Sequence, residues 1–290
     1  MHALIRKDSR NQKRIFPYLG GEELNDDPEQ KPHRYVINFG TLTLEEASAW
    51  PDLLKIVEAR VKPERDKHSN NEIARRQKEF WWRYRSDTPR LREAVAGRAR
   101  CLANSQVSSH LCMAWQPTDR VFSHALNVFA DDRDGFFAVM QSRVHEVWAR
   151  FFGSSMKDDL RYTASDCFVT FPFPAGWESN TALTDLGARY HAHRAAMMAR
   201  TIDTKRPEGL TATYNRFHDV NERAPDVPTL RALHAAIDRA VLDAYRWDDV
   251  RPTYDFRAQL DERVRYTWDD GTRDEVLARL LEENRRAAAT

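Results

Sequence analysis

The spacing of apolar and polar positions changes period several times along the 290 residues. Tyr35, Ile37 and Phe39 alternate with Arg34, Val36 and Asn38, a period of two that predicts a half-buried strand ended by Gly40. Thr43 stands three residues before Glu46, a capping-box spacing, so a short helix is predicted to start there and end near Pro51. Leu53, Leu54, Val57 and Val61 then share one helical face until Pro63 interrupts it. Residues 78–85, KEFWWRYR, interleave aromatic with basic side chains, and a Pro-led helix follows over 89–97. From Arg100 short β-prone pieces take over at 101–107, 111–116 and 126–130, with a turn at Pro117 and Asp119, which predicts an antiparallel sheet.

Asp132 or Asp134 opens a helix in which Phe136, Val139, Met140, Val144, Val147, Trp148 and Phe151 recur at helical spacing until Gly153. The run DCFVTFPFP over 166–174 alternates aromatic and polar positions but carries two prolines, so it is expected to be an edge strand with an extended exit. Beyond it the pattern is helical at 184–202, 228–245 and 272–288. Pro228 suits a first helical turn, Leu230, Leu233, Ile237 and Val241 form one stripe, and Thr272 with Glu275 repeats the capping-box spacing. Residues 1–14 are polar, basic and aperiodic, suggesting a flexible lead-in or the cut end of a longer protein. The expectation is an α+β protein. A basic lead-in (1–14) precedes a mixed or antiparallel sheet domain flanked by helices (15–176) and an all-helical C-terminal region (177–290).

A hydrophobic content of 41% suffices to bury a core in one large domain or two ordinary ones. The longest apolar run, residues 136–140, is far short of the roughly 20 residues of a membrane helix, and a cytoplasmic protein without membrane partners is expected. Cys101, Cys112 and Cys167 lack metal-ligand spacing and suit buried thiols. The net charge of +1 conceals an uneven distribution: residues 55–100 carry 14 Lys and Arg against 7 Asp and Glu, whereas 241–290 carry 9 against 12. The N-terminal third is therefore where an anionic partner is expected.

Gly20-Gly21 leads into Glu22-Glu23, which repels an anionic ligand, and no Asn/Asp-Pro-Pro-aromatic loop follows to hold a base amino group. Pro51-Asp52 lacks the downstream Glu-x-Lys of a magnesium nuclease. His191 and His193 lie roughly 200° apart around a helix and cannot share a metal. His145, His218 and His234 have no partners at ligand spacing, and Gly153-Ser154-Ser155 lacks the second glycine of a nucleophile elbow. Trp81 and Trp82 read as core residues, with a base-stacking platform over 80–84 as the competing use.

Several long stretches resemble the C-terminal part of the MmeI-like (type IIL) restriction-modification enzymes: IFPYLGGEELN at 15–25, PHRYVINFG at 32–40, KPERDK at 62–67 and WW at 81–82. Two more are the run from Gln141 to Pro174, QSRVHEVWARFFGSSMKDDLRYTASDCFVTFPFP, and LTATYNRFHD at 210–219. In that family one polypeptide joins a nuclease domain, a helical spacer, an adenine-N6 methyltransferase domain, a target-recognition domain and a helical C-terminus. The resemblance covers the last two. It implies sequence-specific binding of double-stranded DNA on behalf of a methyltransferase domain in the same or a companion polypeptide. S-adenosylmethionine would belong to that parent domain and magnesium to the parent nuclease domain, with no cofactor in this chain. Related architectures occur in methyltransferases of the BREX and DISARM phage-defence systems.

The resemblance implies base reading from the sheet segment over 104–114, so Asn104, Gln106, Ser108, Ser109 and His110 are the base-reading candidates. Family members often carry charge just after the position of Ser109, where this chain has His110-Leu111-Cys112, which implies a different recognition sequence. Arg75, Arg76, Lys78, Arg83, Arg85, Arg98 and Arg100 suit phosphate contacts, as do Lys157 and Arg161. Two other uses compete: a protein-interaction module docking on the methyltransferase with little DNA affinity, and a single-strand or RNA-binding protein.

Overall fold

The computed structural model describes residues 1–68, 71–85, 88–156, 159–259 and 263–289. The first hundred residues form α1 (His2–Lys7), β1 (Ile15–Leu19), α2 (Gly21–Asp26), β2 (Arg34–Ile37), α3 (Leu44–Ala47), α4 (Pro51–Arg60), α5 (Lys62–Asp66), α6 (Glu72–Glu79) and α7 (Pro89–Val95). Five short strands follow: β3 (Arg100–Ser105), β4 (Val107–Ser108), β5 (Ala114–Pro117), β6 (Val121–Phe122) and β7 (Leu126–Phe129). Then come α8 (Asp134–Gln141), α9 (Arg143–Phe152), β8 (Ser154–Met156), β9 (Asp159–Arg161) and α10 (Ala164–Cys167). The remainder is α11 (Thr181–Ala199), α12 (Leu210–Phe217), α13 (Asp226–Ala244), β10 (Tyr254–Ala258), β11 (Val264–Trp268) and α14 (Asp270–Ala288). The α+β expectation holds.

The chain forms two compact units, each discontinuous in sequence. One comprises residues 1–20, 32–97 and 117–124, the other 21–31, 98–116 and 125–290. In the first, β1 pairs antiparallel with β2 and parallel with β6. Its core gathers Ile15, Phe39, Ala47, Leu53, Val57, Trp81 and Trp82. Both indoles are buried, with Trp82 Nε1 donating to the Leu42 carbonyl at 2.9 Å, so they serve as core residues, and Phe80 and Tyr84 of the segment 80–84 are half-buried. Residues 1–14 are structured rather than a flexible lead-in. Leu4 and Ile5 pack on this core, and buried Asn11 donates to the Leu4 carbonyl. The capping box of α3 forms as expected, Thr43 Oγ1 accepting from Glu46 N.

In the second unit β3 is the centre of the sheet β5-β3-β7, and β9 the centre of β4-β9-β8. The single helix expected from Asp134 to Gly153 is broken at Ser142, which leaves helical geometry and caps α9 by accepting from His145 N. α8 is buried from Gly135 to Gln141, as an all-round apolar helix must be. It lies so close to α11 that a Cβ on Gly187 would stand 2.1 Å from the Asp134 carbonyl oxygen.

Two expectations are corrected in this unit. The run 166–174 is not an edge strand: α10 and turns carry it, because Phe168 and Phe173 fold onto Phe129 and Phe136 as an aromatic cluster. The C-terminal region is not all-helical either, since β10 and β11 form an antiparallel hairpin from Tyr254↔Trp268 to Ala258↔Val264.

Candidate functional site

The expected base-reading segment enters this geometry through β3. Asn104 is only 2% exposed, and its Oδ1 accepts from Asn127 Nδ2 at 3.1 Å, so its amide oxygen is engaged inside the protein. Gln106 is half-buried where β3 passes into β4; its backbone N donates to Ala125 O and its carbonyl accepts from Tyr162 N. Its side-chain amide makes no hydrogen bond among the described residues.

Register decides which side chains face outward. Val107 lies opposite Arg161 and Ser108 opposite Leu160 in the antiparallel β4–β9 pair. Directly opposed residues share a sheet face and neighbours alternate. Gln106 and Ser108 are therefore on the face of buried Tyr162 and Leu160, while Val107 and Arg161 are on the other, exposed face. The Arg161 guanidinium has no partner among the described residues. Arg161 was expected from sequence, whereas Val107 was passed over because its apolar side chain gave no polar signal.

After β4 the chain runs to β5 without regular pairing, and side chains from later elements satisfy its backbone. Gln141, at the end of α8, donates to Leu111 O at 3.1 Å and accepts from Met113 N at 2.9 Å. Arg194 of α11 donates to Met113 O, and Arg265 of β11 donates to Ser109 O at 3.0 Å. His110, 8% exposed, is stacked on His218 with centroids 5.2 Å apart. Its Nε2 meets Asn215 Oδ1 at 2.8 Å and its Nδ1 meets Arg265 Nη1 at 3.3 Å. A guanidinium can only donate, so Nδ1 accepts and Nε2–H donates to Asn215, which fixes one tautomer. Burial pushes the His110 pKa down to about 4, outweighing the opposing bond to Asn215, so the ring is neutral near pH 7. Ser109, His110, Asn215, His218 and Arg265 line a cleft of about 540 Å³, together with Asp159, Arg263 and Val264.

The basic candidates separate into spent and available cations. Arg83 donates to the Leu42 and Thr41 carbonyls and covers the Phe80 ring at 4.5 Å. Arg98 pairs with Asp132 at 3.1 Å; Arg100 pairs with Asp134 at 2.8 Å while lying 4.0 Å over Trp115. Lys78 is half-buried with interactions of its own. Arg75, Arg76 and Arg85 are exposed, and their side chains make no ion pair among the described residues. Lys157 lies outside the described residues. The local basic surplus read from sequence is thus partly consumed by structure, and Arg75 and Arg76 of α6, with Arg85, keep charge for a partner.

Among the described residues no group of three His, Cys, Asp or Glu side chains could hold a metal ion. The glycine turn at 20–21 opens α2 with Glu22 and Glu23 in its first turn, a poor cradle for an anionic cofactor. No described helix is long and apolar enough to cross a membrane.

The whole chain superposes on a type IIL restriction-modification enzyme, MmeI, solved in complex with DNA, with a TM-score of 0.65 and 16% identity, covering 33% of that enzyme. DNA methyltransferase A of Bacillus subtilis (strain 168) is 24% identical over 145 residues, 49% of this chain and 15% of that protein. The chain thus spans a third or less of the length of these relatives. Residues 1–175 match the family model of the MmeI target recognition domain, and the chain belongs to that family.

Proposed function

We propose that this chain reads a duplex DNA sequence for an adenine-N6 methyltransferase of the type IIL restriction-modification kind, or of a phage-defence system of related architecture. In this reading S-adenosylmethionine and the methyl-transfer chemistry belong to a methyltransferase domain in the same or a companion polypeptide, and this chain sets where on DNA that domain works. The membership in the MmeI target-recognition family carries the proposal. Two features of the molecule support it: uncommitted guanidinium groups at Arg75, Arg76 and Arg85, and the outward Val107–Arg161 face of the β4–β9 pair. Arginines without internal partners bind phosphates or guanine edges at no cost to the fold.

Binding to duplex, single-stranded DNA and RNA probes across a salt series tests this. Duplex is expected to bind most tightly, with log K falling linearly against log salt. Replacing Arg75 and Arg76 with Ala together should lower that slope by about 2 and weaken all duplexes alike. Equal affinity for the three probes, or an unchanged slope in the double variant, would count against the proposal.

A further inference from the structure

Recognition in this family is assigned to the part that residues 1–175 match, yet the segment expected to face the bases is shaped in part from outside that span. The chain over 108–113 has no strand partner for most of its length. Gln141 holds Leu111 and Met113 from within residues 1–175, whereas the Ser109 carbonyl and the His110 ring are held by Asn215, His218 and Arg265, with Arg194 at the far end of the segment. The last four all lie beyond residue 175.

Resting on the recognition reading above, we propose that Arg265 of β11 and Asn215 of α12 are specificity-positioning residues, which set the sequence preference by fixing the loop at Ser109 and His110. Arg265 is 5% exposed, and its fork spans two groups of that loop: Nη2 reaches Ser109 O at 3.0 Å while Nη1 reaches His110 Nδ1 at 3.3 Å. Both bonds come from one planar group, so they fix the ring relative to the backbone beside it. Asn215 closes the other side of the ring at 2.8 Å, and His218 beneath it is held by Tyr266 N donating to its Nδ1 at 3.1 Å. A lysine ammonium at 265 carries its three donors on one nitrogen and does not reproduce the fork's pair of separately placed bonds. The β10–β11 hairpin therefore acts as a template under the loop, and a change in the hairpin or in α12 alters what the loop can read without touching DNA.

The experiment uses the whole chain. A duplex selected by the wild type from a randomised pool is compared with a scrambled duplex for R265K, N215L and N215D, with circular dichroism checking the fold. R265K and N215L are expected to lower the ratio of selected to scrambled affinity about tenfold, leaving scrambled affinity and its salt slope unchanged. N215D, which keeps an acceptor for His110 Nε2–H, should retain the ratio. If R265K does not fold, the N215L and N215D pair decides alone. A ratio unchanged in N215L, or equal losses on both duplexes, overturns the inference while leaving the recognition reading intact. A wild type that selects nothing from the pool overturns both.

Discussion

A buried guanidinium is stabilising only when its donors are met, and Arg65 shows what that achieves at the residue scale. Within the basic stretch it donates to the carbonyls of Gln77 and Phe80 at 3.2 and 3.0 Å, and to that of Arg83 at 2.8 Å. These carbonyls belong to the end of α6 and the turn that carries Trp81 and Trp82 into the core. Arg65→Ala is expected to destabilise the first unit by about 3 kcal/mol, the scale of losing several charge-assisted bonds and leaving buried carbonyls unmet. Urea denaturation monitored by tryptophan fluorescence measures it; a loss below about 1 kcal/mol would show those carbonyls to be solvated. In the sequence Arg65 is one of 14 basic residues over 55–100 and part of the KPERDK stretch, and neither fact reveals whether the cation points to solvent or to a carbonyl. The same blindness assigned Arg83, Arg98 and Arg100 to phosphates when Leu42, Asp132 and Asp134 hold them.

At the scale of elements, helix packing depends on one missing side chain. A methyl group at Gly187 would meet the Asp134 carbonyl oxygen at 2.1 Å, backbone that cannot swing aside. Gly187→Ala must therefore push α11 away from α8 and is expected to cost on the order of 3 kcal/mol. A thermal midpoint within a degree or two of the wild type would mean that the helices slide past each other freely. Elements with strong local signals were legible in the sequence: the α3 capping box, the three β-prone pieces after Arg100, and the α13 stripe of Leu230, Ile237 and Val241. Those decided by tertiary partners were not. Ser142 interrupts an otherwise helical pattern, Phe168 and Phe173 abandon a strand for an aromatic cluster, and Asp269 rather than Thr272 caps α14. The alternation Tyr254, Phe256, Ala258 against Val264, Tyr266, Trp268 was a readable hairpin signal, hidden by the surrounding helical periodicity. Candidate site residues were legible as a segment but not as a face, because the side of β4 that looks outward depends on its pairing with β9.

For the molecule as a whole, buried histidines make pH a test of the fold. His145 and His234 are held down to about 3 and His110 and His191 to about 4, each chiefly by burial, and His218 is held well below its ordinary value for the same reason. All five belong to the second unit. An unfolded chain protonates these rings near pH 6.5, whereas the folded one does so only far lower, so between pH 6.5 and 4 the unfolded state binds more protons. Stability is therefore present above pH 6.5 and lost on acidification, by about 1.4 kcal/mol per group for each unit below it. Asp238 works in the opposite direction. Burial raises its carboxyl to about 7, so its contribution is fully present below pH 3.8 and lost as pH rises through 7. Five groups outweigh one, and going from pH 7.5 to 5.5 should remove about 5 kcal/mol, a large share of a typical domain's stability. Urea unfolding of the second unit at the two pH values measures this, and equal stabilities would show the rings to be hydrated. Asp238→Asn removes the opposing contribution while keeping an oxygen for Arg143 N, which donates to Asp238 Oδ1 at 2.7 Å. In that variant the acid loss should steepen by about 2 kcal/mol; an unchanged loss would mean that Asp238 stays ionised within the fold.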